Sequence, residues 1–206
     1  LVLTNGGQIA FDELMDGPSA IIEAFNPSVA GAQALGATIF GTENRWGKLP
    51  YTLYPHNYIE QQPMDNYDMS KAPGRTYRYY NGKPLFPFGA GLSYTTFELT
   101  CAMSSGDADC TVTNTGAVDG DEVIMVFHSV SADIRQKARH PVPIKALVGF
   151  ERVRVAAGAS AQVHFQLGSS ALQIVNAQGD KVLYKGEHTL SFSRGVGTDV
   201  DILVKV

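Results

Sequence analysis

Positive charge is in short supply: 16 Lys and Arg stand against 20 Asp and Glu, a formal net charge of −4. Nucleic-acid binding draws on surplus cations that displace the counterions around phosphate, so a polyanionic partner is not expected. Long apolar runs are missing as well. A helix needs about 20 predominantly apolar residues to cross a bilayer, and no stretch approaches that. No initiator Met, basic n-region or cleavage site surrounds Leu1-Val2-Leu3-Thr4, so no signal peptide is visible. These residues read as a strand already under way, and a strand that short has nothing to pair with unless a sheet lies upstream. The expectation is a fragment or a processed chain. No phosphate-cradling loop, dinucleotide fingerprint or Gly-x-Ser-x-Gly elbow occurs. The five histidines, at 56, 128, 140, 164 and 188, show no metal-ligand spacing. Neither a metal nor a cofactor is expected.

Cysteine is nearly absent too. Cys101 and Cys110 flank Ser104-Ser105-Gly106-Asp107, a strong turn sequence. If the flanking strands pair through that turn, the two thiols face each other and bridge, which requires an oxidising compartment. The alternative is a pair of buried free thiols in a cytosolic β domain. A zinc shell is excluded, because two cysteines cannot complete it.

What is present is enough to fold. Apolar residues make up 44% of the chain and charged residues 17%, and 21 glycines with 10 prolines announce many turns. The first forty residues alternate between strand and helix signals. Leu1–Thr4 and Ala20–Ile22 read as buried strands, and Ile9–Met15 as a short helix ended by Gly17-Pro18. Asn26-Pro27 supplies a cap and a first-turn proline for a helix carrying Val29, Ala32, Leu35 and Ile39, with Gly41 as its stop. This order predicts part of a parallel α/β sheet. From Glu43 to Thr96 periodicity fades among prolines and tyrosines, which suits an extended linker laid over other structure. Beyond Phe97 short strands follow at close intervals. Val163, Phe165 and Leu167 alternate with His164 and Gln166, the period of a half-buried strand. About seven such segments predict a fibronectin type III-like β-sandwich. The boundaries are therefore 1–54 for the partial α/β sandwich, 55–96 for the linker and 97–206 for the all-β domain.

Several motifs point further. Gly47-Lys48-Leu49-Pro50-Tyr51-Thr52-Leu53-Tyr54-Pro55, Pro73-Gly74-Arg75-Thr76-Tyr77 and Pro84-Leu85-Phe86-Pro87-Phe88-Gly89-Ala90-Gly91-Leu92-Ser93-Tyr94 occur in that order. Val112-Thr113-Asn114-Thr115-Gly116, Gly120-Asp121-Glu122-Val123 and Lys145-Ala146-Leu147-Val148-Gly149-Phe150 follow them. Together they resemble the C-terminal part of family 3 glycoside hydrolases over essentially the whole chain. Met64-Asp65 and Asp68-Met69, ahead of Pro-Gly-Arg-Thr-Tyr, resemble the β-xylosidase and arabinofuranosidase branch more than the β-glucosidases. Two departures are Asn44-Arg45-Trp46-Gly47, where Asn-Pro-x-Gly is usual, and Ala90, where many members have His.

The resemblance implies a retaining exo-glycosidase with an Asp nucleophile on an N-terminal barrel and a Glu acid/base on the next domain. Retention holds these carboxyl groups about 5–5.5 Å apart. Both would precede Leu1, so no catalytic residue is assigned and the chain alone is expected to be inactive. Its implied partners are the barrel and the remaining α/β part of the same enzyme, and a glycoside substrate. An extracellular or secretory location is expected. A second possibility is a non-catalytic structural or carbohydrate-associated module that keeps the scaffold. Asn5 and Gly6 are candidate sugar contacts, because they follow the C-terminal end of a parallel strand, where ligands of open sheets bind. Asp119, Asp121 and Glu122 read as a polar turn entering a strand, since calcium-loop spacing is absent. Tyr77, Arg78, Tyr79 and Tyr80 read as linker packing rather than a sugar platform. His164 reads as a solvent-facing strand residue. Asn26-Pro27-Ser28 is no glycosylation site, because proline occupies its middle position.

Overall fold

A computed structural model describes all 206 residues, Leu1–Val206. Strands β1 (Val2–Leu3) and β2 (Ile22–Glu23) pair in parallel, with Val2 opposite Ile22 and Leu3 opposite Glu23. Between them the expected helix shrinks to one 3-10 turn, Asp12–Leu14, anchored by the backbone N–H of His56 donating to the Asp12 carboxylate. Helix α1 (Val29–Ile39) has Ser28 rather than Asn26 at its N-cap, so Pro27 stands just outside it. Proline tolerates that place equally well, because it removes no intrahelical bond there. Gly41, at φ +75°, ends the helix as expected. None of its residues is buried, and Val29 and Phe40 are almost fully exposed. The sheet has only these two strands, so neither outer edge is paired with a further strand.

The stretch expected to be extended is more organised than its sequence suggests. Leu49, Leu53, Leu85 and Gly89 donate backbone N–H groups to Ala90, Phe86, Leu53 and Leu49 respectively. Residues 49–53 and 85–90 thus form an irregular antiparallel ladder. Two short helices, α2 (Tyr58–Gln61) and α3 (Thr76–Tyr79), lie in the excursion between its arms. The stacked rings of Tyr54 and Tyr58 (centroids 3.9 Å apart), met edge-on by Tyr80, fill its centre. Burial pushes the Tyr58 phenol up to about 12, and its hydroxyl donates to the Gly74 carbonyl.

The remainder is a two-sheet sandwich. Strands β3 (Phe97–Ser104) and β4 (Asp107–Asn114) form a hairpin, and β5 (Gly120–Val130) crosses to the opposite sheet. Helix α4 (Ala132–Ala138) follows, capped by the Ser131 hydroxyl. Then come β6 (Ala146–Val155), β7 (Ser160–Phe165), the short pair β8 (Ile174–Val175) and β9 (Lys181–Val182), β10 (Glu187–Ser193) and β11 (Val200–Lys205). One sheet has the order β11-β10-β5-β6 and the other β3-β4-β7. Cys110, Val112, Ile124, Val126, Val163, Phe165, Leu190 and Phe192 meet between them. The short strands β8 and β9 pair with each other in a separate ribbon outside both sheets. His164 is exposed on β7, where Asp109 of β4 accepts from its ring at 2.8 Å and raises its pKa.

Two features bind the sandwich together. In the β3–β4 turn Ser105 and Gly106 both have positive φ (53° and 94°), the requirement of a two-residue type I′ hairpin. That turn places Cys101 directly opposite Cys110, and the two are disulfide-bonded. Closing a loop of this length is worth about 2.5 kcal/mol in the chain-entropy relation. Replacing both cysteines with alanine is expected to cost about that much in urea unfolding; an unchanged midpoint would show that the bridge adds nothing. The second feature is the ladder itself. Tyr77 stacks on Phe88, and both lie against Phe127 on the outer face of β5. Any side chain at Gly89 would strike Met125 of the same face, and one at Gly195 would strike the Gly89 carbonyl. Strand β5 is therefore covered on both faces, which explains its long apolar run, Val123–Phe127.

Candidate functional site

The parallel pair β1–β2 brings two loops together at its C-terminal edge. The Asn5 backbone N–H donates to the Phe25 carbonyl at 3.0 Å, continuing the ladder past the strands. Gly6 lies so close to Asn26 that a Cβ there would touch the Asn26 amide at 3.5 Å. Phe25, at φ +54°, turns the second loop and packs edge-on against Tyr51. Glu23 shapes this turn: its carboxylate accepts from the Phe25 N–H and the Tyr51 hydroxyl, each at 3.0 Å. Burial, then that bond and the neighbouring negative charge, push the Tyr51 phenol up to about 12. With a hydrogen bond accepted at each oxygen, Glu23 orients the loop.

Asn5 and Gly6 therefore sit where the sequence placed them, at the mouth of an open parallel sheet. The Asn5 amide N–H donates to Gly7 O within its own loop, while its Oδ1 is buried without a partner. A buried acceptor left unpaired costs about 1–3 kcal/mol, so this atom is suited to a donor from outside these 206 residues.

The acidic group at 119–122 is a correction to its reading as a simple polar turn. Glu122 is 3% exposed and receives Lys48 Nζ at 2.9 Å and Arg194 at 3.4 Å. Asp121 takes Arg152 at 3.0 Å and Arg45 at 3.7 Å. Buried Asn44 joins the same region: its Nδ2 donates to Asp119 O, and its Oδ1 accepts from Ser93 Oγ and Tyr94 N. The departure Arg45 thus supplies an ion pair, and Ala90 a backbone partner for Leu49. Each of these two carboxylates is paired with two cations, and together they act as a clamp between the first half of the chain and the sandwich. The tyrosines behave as expected of packing residues, Tyr77 against Phe127 and Tyr80 against Tyr54 and Tyr58.

The architecture defines a class: a raw-edged α/β piece clamped onto a fibronectin-like sandwich by a docked strap. Comparison with known proteins agrees. Residues 1–94 match the glycosyl hydrolase family 3 C-terminal domain, and residues 122–195 match the fibronectin type III-like domain. A probable exo-1,4-beta-xylosidase of Aspergillus flavus is 34% identical over 95% of this chain and 28% of its own length. Beta-D-xylosidase 1 of Arabidopsis thaliana is 33% identical over 92% of this chain and 30% of its own. Among solved structures, a family GH3 exo-beta-xylosidase bound to a xylobiose aziridine probe superposes with a TM-score of 0.85. It is 28% identical and covers 100% of this chain and 30% of its own. A Bifidobacterium adolescentis GH3 beta-glucosidase gives 0.84 at 28% identity, over 100% of this chain and 32% of its own. The chain belongs to glycosyl hydrolase family 3, and it spans under a third of the length of these relatives.

Proposed function

We propose that this chain serves as the C-terminal region of a retaining, exo-acting β-glycosidase of the β-xylosidase and arabinofuranosidase type. The observation that carries this reading is similarity to exo-xylosidases along nearly the whole chain, combined with a two-stranded parallel sheet that lacks neighbours. In it, residues 1–206 complete the α/β layer and brace a barrel held elsewhere in the polypeptide. The nucleophilic Asp and the acid/base Glu lie outside these residues. The disulfide supports placement in an oxidising, extracellular or secretory compartment.

The test compares the 206-residue chain with a longer polypeptide that contains it, on aryl β-xyloside, α-arabinofuranoside and β-glucoside. Turnover by the longer form alone, with the xyloside or arabinofuranoside preferred, is expected. A longer form inactive on all three would leave a non-catalytic module, and a preference for the glucoside would overturn the branch assignment.

Within this reading Asn5 contributes a sugar contact through its free Oδ1. Asn5→Ala in the active form is expected to lower kcat/KM about tenfold, the equivalent of one good hydrogen bond. Unchanged kinetics would remove Asn5 from the site.

A further inference from the structure

Asparagine followed by glycine is a chemically labile pair, because glycine has no side chain to shield its backbone nitrogen from the asparagine amide carbon. The sequence holds two such pairs, Asn5-Gly6 and Asn81-Gly82. The fold treats them in opposite ways.

Asn81 lies between α3 and the second arm of the ladder, in neither helix nor strand, and it is exposed. Its backbone N–H donates to the Pro73 carbonyl at 2.9 Å, while its side-chain amide makes no hydrogen bond. The Gly82 N–H makes none either. Electrophile and nucleophile are thus both unengaged, on neighbouring residues, in water. Packing keeps residue 82 a glycine. A Cβ there would come to 2.5 Å from the Tyr80 hydroxyl, and Tyr80 is itself wedged edge-on against Tyr54 and Tyr58.

Asn5 is restrained where Asn81 is free. Its Nδ2, the leaving group of the same reaction, donates to Gly7 O, and its backbone N–H donates to Phe25 O. Its Oδ1 is buried with no donor beside it. Attack on the amide carbon places negative charge on that oxygen, and buried charge without a donor is costly. At Asn81 water supplies the donors.

We propose that Asn81 is a site of spontaneous deamidation and that the fold spares Asn5. The Gly82 nitrogen attacks Asn81 Cγ and forms an N–Cγ bond. The Cγ–Nδ2 bond breaks, and Nδ2 leaves as ammonia with the proton that Gly82 loses. Water then opens the succinimide to an aspartyl or isoaspartyl residue, with no change of oxidation state. Either product puts a new negative charge at position 81, and the isoaspartyl form lengthens the backbone directly after Tyr80. The site does not depend on the proposed glycosidase activity.

The experiment incubates the 206-residue chain at mildly alkaline pH and follows both peptides by mass spectrometry, reading the replacement of NH by O. Asn81 is expected to convert at least about tenfold faster than Asn5, the rate equivalent of one unsatisfied buried acceptor. In guanidinium chloride neither side chain is held, and the two rates should converge. Asn81→Gln, an exposed change, should abolish the fast conversion and leave that of Asn5 as it was. No conversion at Asn81, equal rates in the folded chain, or a preference for Asn81 that persists in guanidinium chloride would each overturn the proposal.

Discussion

Glu122→Gln is expected to unfold the chain about 10 °C earlier than the parent, the largest loss of any single change considered. The substitution keeps the shape of the side chain and removes its charge. Lys48 and Arg194, both largely buried, then share a site with no counterion. Removing one partner from a buried ion pair costs about 3–5 kcal/mol, because the remaining charge stays desolvated. In a domain of this size each kcal/mol moves the midpoint by about 2–4 °C. Lys48 belongs to the strap and Arg194 to the end of β10, so the damage should appear first as proteolytic nicking between residues 55 and 75. Adding Lys48→Met to Glu122→Gln removes one stranded cation and should recover part of the loss. A midpoint within a degree of the parent would show that the clamp carries no net stability.

The second large effect is with acid. His128 ionises at about 4 in the folded chain and near 6.5 when unfolded. The folded state therefore binds fewer protons than the unfolded state between those values, and stability falls as pH falls through that window. The stabilisation is complete above pH 6.5 and gone below about 4, with a span of up to about 3 kcal/mol. Arg135, held by the carbonyls of Val142, Pro143 and Ile144, adds a fixed positive charge that opposes protonation. Urea unfolding at pH 7.5 and pH 4, on the parent and on His128→Gln, separates this contribution from that of the carboxylates. The variant should show a flatter dependence. Parallel curves would assign the acid loss to other groups.

Much of the sandwich was legible because its signals are local. The alternation at Val163 and Phe165 needs no distant partner to be read, and Ser105-Gly106 by itself sets the register that joins Cys101 to Cys110. Helix α4 escaped because only Ile134 is buried among its seven residues, so no apolar stripe marks it. The strap was read as structureless because its ladder joins residues about 35 positions apart and its prolines interrupt any period. Asp121 and Glu122 looked like an ordinary turn for the same reason: Lys48 and Arg194 lie 74 and 72 positions from Glu122, and charge pairing at that range leaves no pattern along the chain. At the candidate site, the position of Asn5 after a parallel strand could be read, but not the unpaired state of its Oδ1. Nor did anything in the sequence bring His128 to His188, 60 residues away.

The backbone-to-backbone meeting of Gly89 with Gly195 bears on how the protein can be divided. Phe97 looks like a natural starting point, since the regular strands begin there. A piece starting there would strip Tyr77 and Phe88 from β5, leave Met125 and Phe127 wet, and take Lys48 from Glu122, leaving it Arg194 alone. Such a truncation should be sticky and poorly behaved. A piece beginning at about Glu43 carries its own cover, so the useful unit for expression reaches some fifty residues further upstream than the strands alone suggest.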